Sequence, residues 1–413
     1  MSQNKKLTIG LFGFGVVGEG IYKVLQDTPT LNAEIKKVCI KHPDKKREAP
    51  ASLFTTNADE LLYDQTINVI VELIDDAESA YYIVTTALNN KKSVVSANKK
   101  MIAENLEELL LLQKQNDVSF LYEAAVCGSI PVIRNLEEYY DNDLLNSFSG
   151  IVNGSTNYIL TKMNEEGLSY EKALKQAQEL GFAESNPALD VEGKDAVNKL
   201  AIVLQHAYGV TVKPTEILHK GITFLHGSDT QYASEKGHNI KLVATAKRID
   251  DTHIVAFVLP TFVNNQSQLY NIRNEFNGVL IGSKLADQQF LYGKGAGRYP
   301  TSSAVLSDIA ALRYDYRYEY KKAERGIDYQ LTKNDYIKVY VSFVKDGEVD
   351  KNDFEKIEES YTSYSRKYFV GIISLQKLQD ATWFNNKDVS VISFDNAEVS
   401  EPIFTVEELS VFN

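Results

Sequence analysis

The run AESNPALDVEGKDAVNKL, residues 183–200, carries Glu184, Asp190, Asp195 and Lys199 at the entrance to an apolar helix pattern. Asp195 and Lys199 stand four residues apart, so on a helix they share one face. A lysine held by an aspartate can pass a proton to or from an oxygen whose carbon exchanges a hydride. Glu184 and Asp190 flank a loop stiffened by Pro187 and offer acceptors to an ammonium-bearing substrate. The competing reading is an ordinary surface ion pair worth roughly 0.3 kcal/mol. Steps of about 100° per residue favour it, because they put Asp195 and Lys199 off the stripe formed by Leu200, Val203, Leu204 and Ala207.

Hydride chemistry calls for a dinucleotide, and the N-terminus offers a place for one. The strand pattern Leu7–Phe12 runs into Gly13-Phe14-Gly15-Val16-Val17-Gly18, and Ile21, Val24 and Leu25 then recur at helical spacing. Glycines at these positions allow a tight turn and bring backbone N–H groups of a helix start against a pyrophosphate. Without its flanks, such a triplet is an ordinary structural turn. The acid expected about 20 residues on, for the ribose hydroxyls, is missing. Ile40, Lys41 and His42 stand there instead, with Asp44 late. Lys41 suits a 2′-phosphate, which favours NADP over NAD; its plain reading is a solvated loop lysine.

The elements that must position these groups follow from periodicity. Strands AEIKKVCI, INVIVELI, KKSVVSA and SFLYEAAV alternate with helices, which predicts a doubly wound α/β sheet of the Rossmann type. The helices SYEKALKQAQELGF, closed by Gly181, and GKDAVNKLAIVLQHAYGV follow, then extended stretches from about 238 to 293. Three domains are expected: a dinucleotide-binding domain over 1–132, an α+β substrate-binding domain over 133–328, and a small αβ domain over 329–413. A helix over about 301–322 is expected to pack back on the first domain.

Composition excludes other classes. With 413 residues and a formal charge of −12, the chain lacks the basic footprint of nucleic-acid or anionic-membrane binding. No apolar run is long enough to span a bilayer. The N-terminal apolar stretch is too short and too rich in glycine for a signal peptide. Two cysteines, Cys39 and Cys127, form no disulfide framework or metal pattern and suit a reducing cytoplasm.

Several stretches together resemble homoserine dehydrogenase: GLFGFGVVGEGI, VVSANKKMIAE, YEAAVCGSIPVI, GIVNGSTNYILTKM, AQELGFAESNPALDVEGKDAVNKLAI and YGKGAGRYPTSSAVLSDI, in order over about residues 7–309. The resemblance implies NAD(P)-linked interconversion of L-homoserine and L-aspartate 4-semialdehyde, on the route to threonine and methionine. It implies a homodimer built on the second domain's sheet. It matches Lys199 and Asp195 to a catalytic pair, with Lys199 the proton donor and Lys99 sharing that role beside the nicotinamide. Glu184 and Asp190 match acids that hold the substrate's amino group, and Gly154, Ser155 and Phe182 fall in substrate-lining stretches. Gly295, Ala296 and Gly297 match a loop that approaches the cofactor. The main-chain carbonyls of Glu123, Val126, Gly128 and Ile130 match a sodium-binding loop, and oxygen ligands suit such a hard cation.

Departures from the family pattern stand beside these matches. Asp75 and Asp76 replace a usual pair of glycines at the cofactor, Phe182 replaces a frequent tyrosine, and Cys127 sits inside the sodium loop. Residues after about 330 match the family's ACT regulatory module only as a degenerate version. A fused aspartate kinase is not expected, since the cofactor turn begins almost at residue 1. The alternatives are another NAD(P)-dependent amino-acid dehydrogenase and a non-catalytic NAD(P)-binding regulator; the latter has no need of the acid–lysine set.

Overall fold

A computed structural model describes residues 5–395 apart from 143, 327 and 365. Residues 396–413, the end of the third expected domain, lie outside the described residues.

The first layer is the expected parallel sheet. Strands β1 (Leu7–Phe12), β2 (Ala33–Cys39), β3 (Phe54–Thr55), β4 (Val69–Glu72), β5 (Ser93–Ser96) and β6 (Phe120–Leu121) lie in the order β3-β2-β1-β4-β5-β6. Helices α1 (Val16–Asp27), α2 (Asp59–Leu62), α3 (Ala77–Asn89) and α4 (Lys99–Asn116) connect them. β4 is buried throughout, as a sheet covered on both faces requires. The stretch SFLYEAAV behaves differently from its expected strand. Only Phe120–Leu121 pairs with β5, and Ala124–Cys127 turns into the short helix α5. Ala and Glu weaken strand pairing there, and the chain must leave the sheet to reach the second domain.

The second layer begins with α6 (Val132–Glu138), β7 (Leu145–Ile151), α7 (Gly154–Glu166), α8 (Tyr170–Glu179), α9 (Ala188–Val191) and α10 (Lys194–Tyr208). After β8 (Leu218–His219) and α11 (Gly227–Glu235) come β9 (His238–Arg248), β10 (His253–Asn264), β11 (Phe276–Ser283) and β12 (Asp287–Lys294). α10 is buried on every side from Asp195 to Tyr208, not on one stripe. Its polar side packs against α4 of the first domain, so helical periodicity alone misassigned that face.

Where a helix was expected over 301–322, α12 spans Arg298–Leu312 and packs on α1. A side chain at Gly20 would collide with Ser302, so glycine permits that close approach. After α12 the chain leaves the helix along the first sheet's edge, where Ser119 Oγ donates to Tyr316 O at 2.8 Å and Gln113 Nε2 to Tyr318 O at 3.1 Å. The short α13 (Lys321–Glu324) follows.

Residues beyond 330 form β13 (Gln330–Leu331), β14 (Tyr336–Phe343), β15 (Lys356–Thr362), β16 (Lys367–Ser374), α14 (Leu375–Asp380) and β17 (Ser390–Phe394). They continue the second sheet. β17 lies parallel to β10, with Thr261 opposite Ser393, and antiparallel to β14, giving the path β12-β11-β7-β9-β10-β17-β14-β16-β15. A second apolar core, including Val339, Phe369, Leu378 and Trp383 together with Leu218, Val255, Phe257 and Leu259 of β8 and β10, covers one face of this extension.

Candidate functional site

The dinucleotide turn is built by sterics. Gly13 has φ +92°, and a Cβ there would come 2.6 Å from Leu73 O. A Cβ on Gly18 would collide with Gly13 O, whereas Gly15 faces open space. Glycine is therefore required at the two flanking positions, and the middle one leaves the helix start bare. Phe14 does not line this space; its ring turns inward against Phe54 at 5.0 Å and Tyr22 at 5.7 Å. Val16 is exposed.

Below the turn lies a cleft of about 190 Å³ lined by Val17, Leu73, Ile74, Asp75, Ala97, Lys99, Ala124–Val126, Lys199, Gly295, Ala296 and Thr301. It unites residues from both domains. A narrow apolar wall of Val17, Leu73, Ile74 and Val126, closed at one end by two lysines, suits the nicotinamide half of a dinucleotide. Gly297, at φ +116°, starts α12 and returns the loop to α1. A Cβ on Gly295 would collide with the buried carboxamide of Asn277.

The two departures near the cofactor have separate fates. Asp75 lines the cleft. Asp76 caps α3 by accepting from Ser79 N at 2.8 Å; hydrogen bonds from Ser79, helped by Lys41 and Lys100, hold its carboxyl below the usual range. Lys41 is exposed at the end of β2 and lies outside the cleft. Glu72, at the end of β4, is fully buried; it accepts from Ser96 Oγ at 2.5 Å and from Ile74 N at 2.7 Å. Burial pushes its carboxyl up to about 7.

Asp195 is the junction of the site. β7 ends where Asn153 turns to an N-cap, its Oδ1 accepting from Thr156 N at 2.8 Å to start α7. Its Nδ2 donates to Asp190 Oδ1 at 2.7 Å and to Asp195 Oδ2 at 2.8 Å. Gly193, at φ +84°, reverses the chain between α9 and α10, so Asp195 falls in the first turn of α10, where the helix dipole favours a negative charge. Lys199, one turn on, reaches Asp195 Oδ2 at 2.8 Å and Val152 O at 2.6 Å. Lys99, the first residue of α4, is aimed by the cap that Asn98 makes to Met101 N, and its Nζ lies 2.9 Å from Asp195 Oδ1.

The electrostatics follow from this geometry. Burial opposes ionisation of Asp195, but the Lys199 and Lys99 ammoniums and the Asn153 amide outweigh it and hold the carboxyl well below the usual carboxylate range. The nearby Asp195 pushes the Lys99 ammonium up, with Asp190 and Glu184 adding to the effect. Lys199 is buried, whereas 44% of the Lys99 side chain remains exposed on the cleft wall.

The other expected residues fall around this centre. Asp190 is half-buried beside Asn153, and Glu184 is exposed at the rim. Ser155 Oγ donates to Phe182 O at 2.6 Å, and the Phe182 ring packs on Tyr158. Gly154 lies against Glu275 O. The Glu123 carboxylate turns away from the cleft to cap α6, accepting from Ile133 N at 2.9 Å and Arg134 N at 2.8 Å, and burial beside Asp308 pushes it up to about 8. In the same loop the main-chain carbonyls of Glu123 and Ile130 accept from Val126 N and Val132 N. Gly128 packs against Gly295 O. Cys127 is buried, and burial pushes its thiol up to about 12, so it is a packing residue and not a reactive thiol. Sequence reasoning missed Asn153 as a site residue, although Asn-Gly at a strand end followed by Thr156 was an available N-cap signal.

A family model described as homoserine dehydrogenase matches residues 131–310, and one described as the NAD-binding domain of homoserine dehydrogenase matches residues 13–123. The chain is 38% identical over 322 residues to the homoserine dehydrogenase of Bacillus subtilis (strain 168), covering 76% of this chain and 74% of that one. The crystal structure of a homoserine dehydrogenase from Thiobacillus denitrificans superposes with a TM-score of 0.84 at 28% identity, over 95% of this chain and 98% of that one. A hyperthermophilic archaeal homoserine dehydrogenase in complex with NADPH superposes at 0.65 and 25% identity, over 76% of this chain and 99% of that one.

Proposed function

Since the chain belongs to the homoserine dehydrogenase family, whose members are NAD(P)-dependent oxidoreductases of amino-acid biosynthesis, we propose how its own residues interconvert L-homoserine and L-aspartate 4-semialdehyde. The observation that carries the mechanism is the Asp195 carboxylate, gripped by a lysine from each domain at the end of the cofactor cleft.

When bound in the cleft, the nicotinamide supplies the hydride acceptor for the hydroxyl-bearing carbon of homoserine, and the donor in the reverse direction. The cleft fits it: the bare helix start at Gly15, the apolar wall and the Gly295–Gly297 loop leave the space it needs. Lys199 has three N–H bonds; two serve Val152 O and Asp195 Oδ2, and the third, with no partner among the described residues, is left for the substrate oxygen. In reduction it gives its proton to the aldehyde oxygen as negative charge develops there, and in oxidation the neutral amine takes the hydroxyl proton back. Asp195 keeps the amine oriented and steadies its charge. Lys99, bound to the opposite carboxylate oxygen, adds a second positive charge beside the same oxygen. Glu184 and Asp190 hold the substrate ammonium at the outer end, with Asp190 fixed by Asn153.

The finer assignments rest on local observations. NADP is favoured over NAD through Lys41, whose exposed ammonium at the end of β2 is available to a 2′-phosphate. The carbonyls of Glu123, Val126, Gly128 and Ile130 are assigned a sodium ion; a carbonyl has a second lone pair after accepting one hydrogen bond. A homodimer through the second sheet is supported by its edge strand β12, which exposes Phe290 and Tyr292 beside Leu285. A cytoplasmic location is favoured by the biosynthetic reaction; among the described residues no helix is long and apolar enough to cross a membrane.

Homoserine-dependent reduction of NAD and of NADP, run in parallel on the wild type and Lys199→Ala, tests the reading. Turnover lost in the variant with cofactor binding retained supports it. Absence of homoserine turnover in the wild type with both cofactors overturns it.

A further inference from the structure

Lys220 is 4% exposed and forms no ion pair with a carboxylate among the described residues. Its ammonium instead donates to the main-chain carbonyl of Phe384 and lies over two rings, 4.3 Å from the centroid of Phe224 and 5.1 Å from that of Phe384. Phe384 follows α14, in the extension beyond residue 330. Burial is the cause that brings Lys220 down to about 8. A methionine would fill the same space without taking a charge out of water, so stability alone does not account for a cation here.

The backbone around Lys220 shows what the cation holds. Lys220 N donates to Val258 O on β10 at 2.9 Å. Two residues on, Ile222 N donates to Val191 O at 2.8 Å. Gly221 lies so close to this stretch that a Cβ on it would collide with Val191 O, and Gly193 sits against Lys220 O and Gly221. Residues 220–222 therefore brace the turn from α9 into α10, the turn that carries Asp190 on one side and Asp195 on the other.

We infer that Lys220 is a positioning residue for this turn, and that through it the extension beyond residue 330 sets the affinity for homoserine. The ammonium ties Phe384 to the bracing segment, the segment fixes Val191, and Val191 fixes the neighbouring Asp190 relative to Asn153. The inference rests on the assignment of Asp190 to the substrate ammonium.

The test uses Lys220→Met, Phe384→Leu and Asp190→Asn in the full chain. Lys220→Met is expected to raise the KM for homoserine about tenfold, with kcat, the KM for NADP and the melting temperature little changed. Phe384→Leu, which removes a ring from the other partner, is expected to shift the same constant in the same direction. The double variant should fall short of the product of the two effects, because they act through one contact. If Asp190→Asn raises the homoserine KM and neither other variant does, the positioning role is overturned while the substrate assignment stands. If Asp190→Asn leaves that KM unchanged, the substrate assignment fails. A fall in melting temperature with all kinetic constants preserved would make Lys220 purely structural and overturn the inference.

Discussion

Lys99 and Lys199, from different domains, are bound to opposite oxygens of the single carboxylate of Asp195, at 2.9 and 2.8 Å. Neither lysine can be moved without disturbing the group that orients the other. Their substitutions should therefore be non-additive. Lys199→Met and Lys99→Met are each expected to lower kcat by about 100-fold, a range typical of positioned proton transfer. The double variant should lose no more than about tenfold beyond the worse single one. Steady-state kinetics on all four proteins check this; full multiplication of the single effects would mean that the lysines act independently.

Asn153 separates two carboxylates while capping α7. Asn153→Ala removes the cap, at about 1 kcal/mol of stability. It also leaves Asp190 and Asp195 facing each other without a donor between them. The KM for homoserine is expected to rise about tenfold, with the KM for NADP unchanged. An unaltered homoserine KM would separate Asn153 from substrate binding.

Glu72, buried behind the cleft residues Leu73 and Ile74, gives the protein a pH dependence of stability. Its carboxyl ionises at about 7 when folded against an ordinary 4.5, so above pH 4.5 the unfolded chain gives up a proton that the folded chain retains. Its contribution is full below 4.5 and is lost as the pH rises through 7, on the order of 3 kcal/mol. Buried Asp308, pushed up to about 7, and Glu123, up to about 8, act in the same direction. Urea unfolding at pH 5 and pH 8 should show a smaller loss of stability in Glu72→Gln than in the wild type, by about 2 kcal/mol. Equal losses would mean that Glu72 ionises normally in the fold.

Gly295 touches the carboxamide of Asn277, which is 1% exposed. A methyl group there must push the loop toward the cleft. Gly295→Ala is expected to raise the KM for NADP more than the KM for homoserine. The reverse order would show that the loop serves the substrate instead.

Much of this arrangement was legible in the chain, for reasons that differ by residue. The glycine turn, the strand signals of β1, β2, β4 and β5 and the i,i+4 spacing of Asp195 and Lys199 are local patterns that short segments can encode. The burial of that pair was not legible, because α10 is covered by α4, about one hundred residues earlier, and periodicity sees only a helix's own face. Phe14 sits in the motif yet turns to Phe54, a partner that no spacing indicates. The helix expected to run to 322 stops at Leu312, where the following tyrosine-rich stretch instead lies along the first sheet's edge and bonds to Gln113 and Ser119. The joining of β17 to β10 depends on pairing across some 130 residues, which local propensity does not carry.

The most direct test of the shared-carboxylate centre is single-turnover hydride transfer in Asp195→Asn, at saturating homoserine and NADP, with NADP affinity measured separately. The amide keeps the shape of the side chain but removes the charge that orients both lysines. The account predicts a rate slowed by about 100-fold or more with NADP affinity within about twofold of wild type. A rate within about threefold of wild type would contradict it.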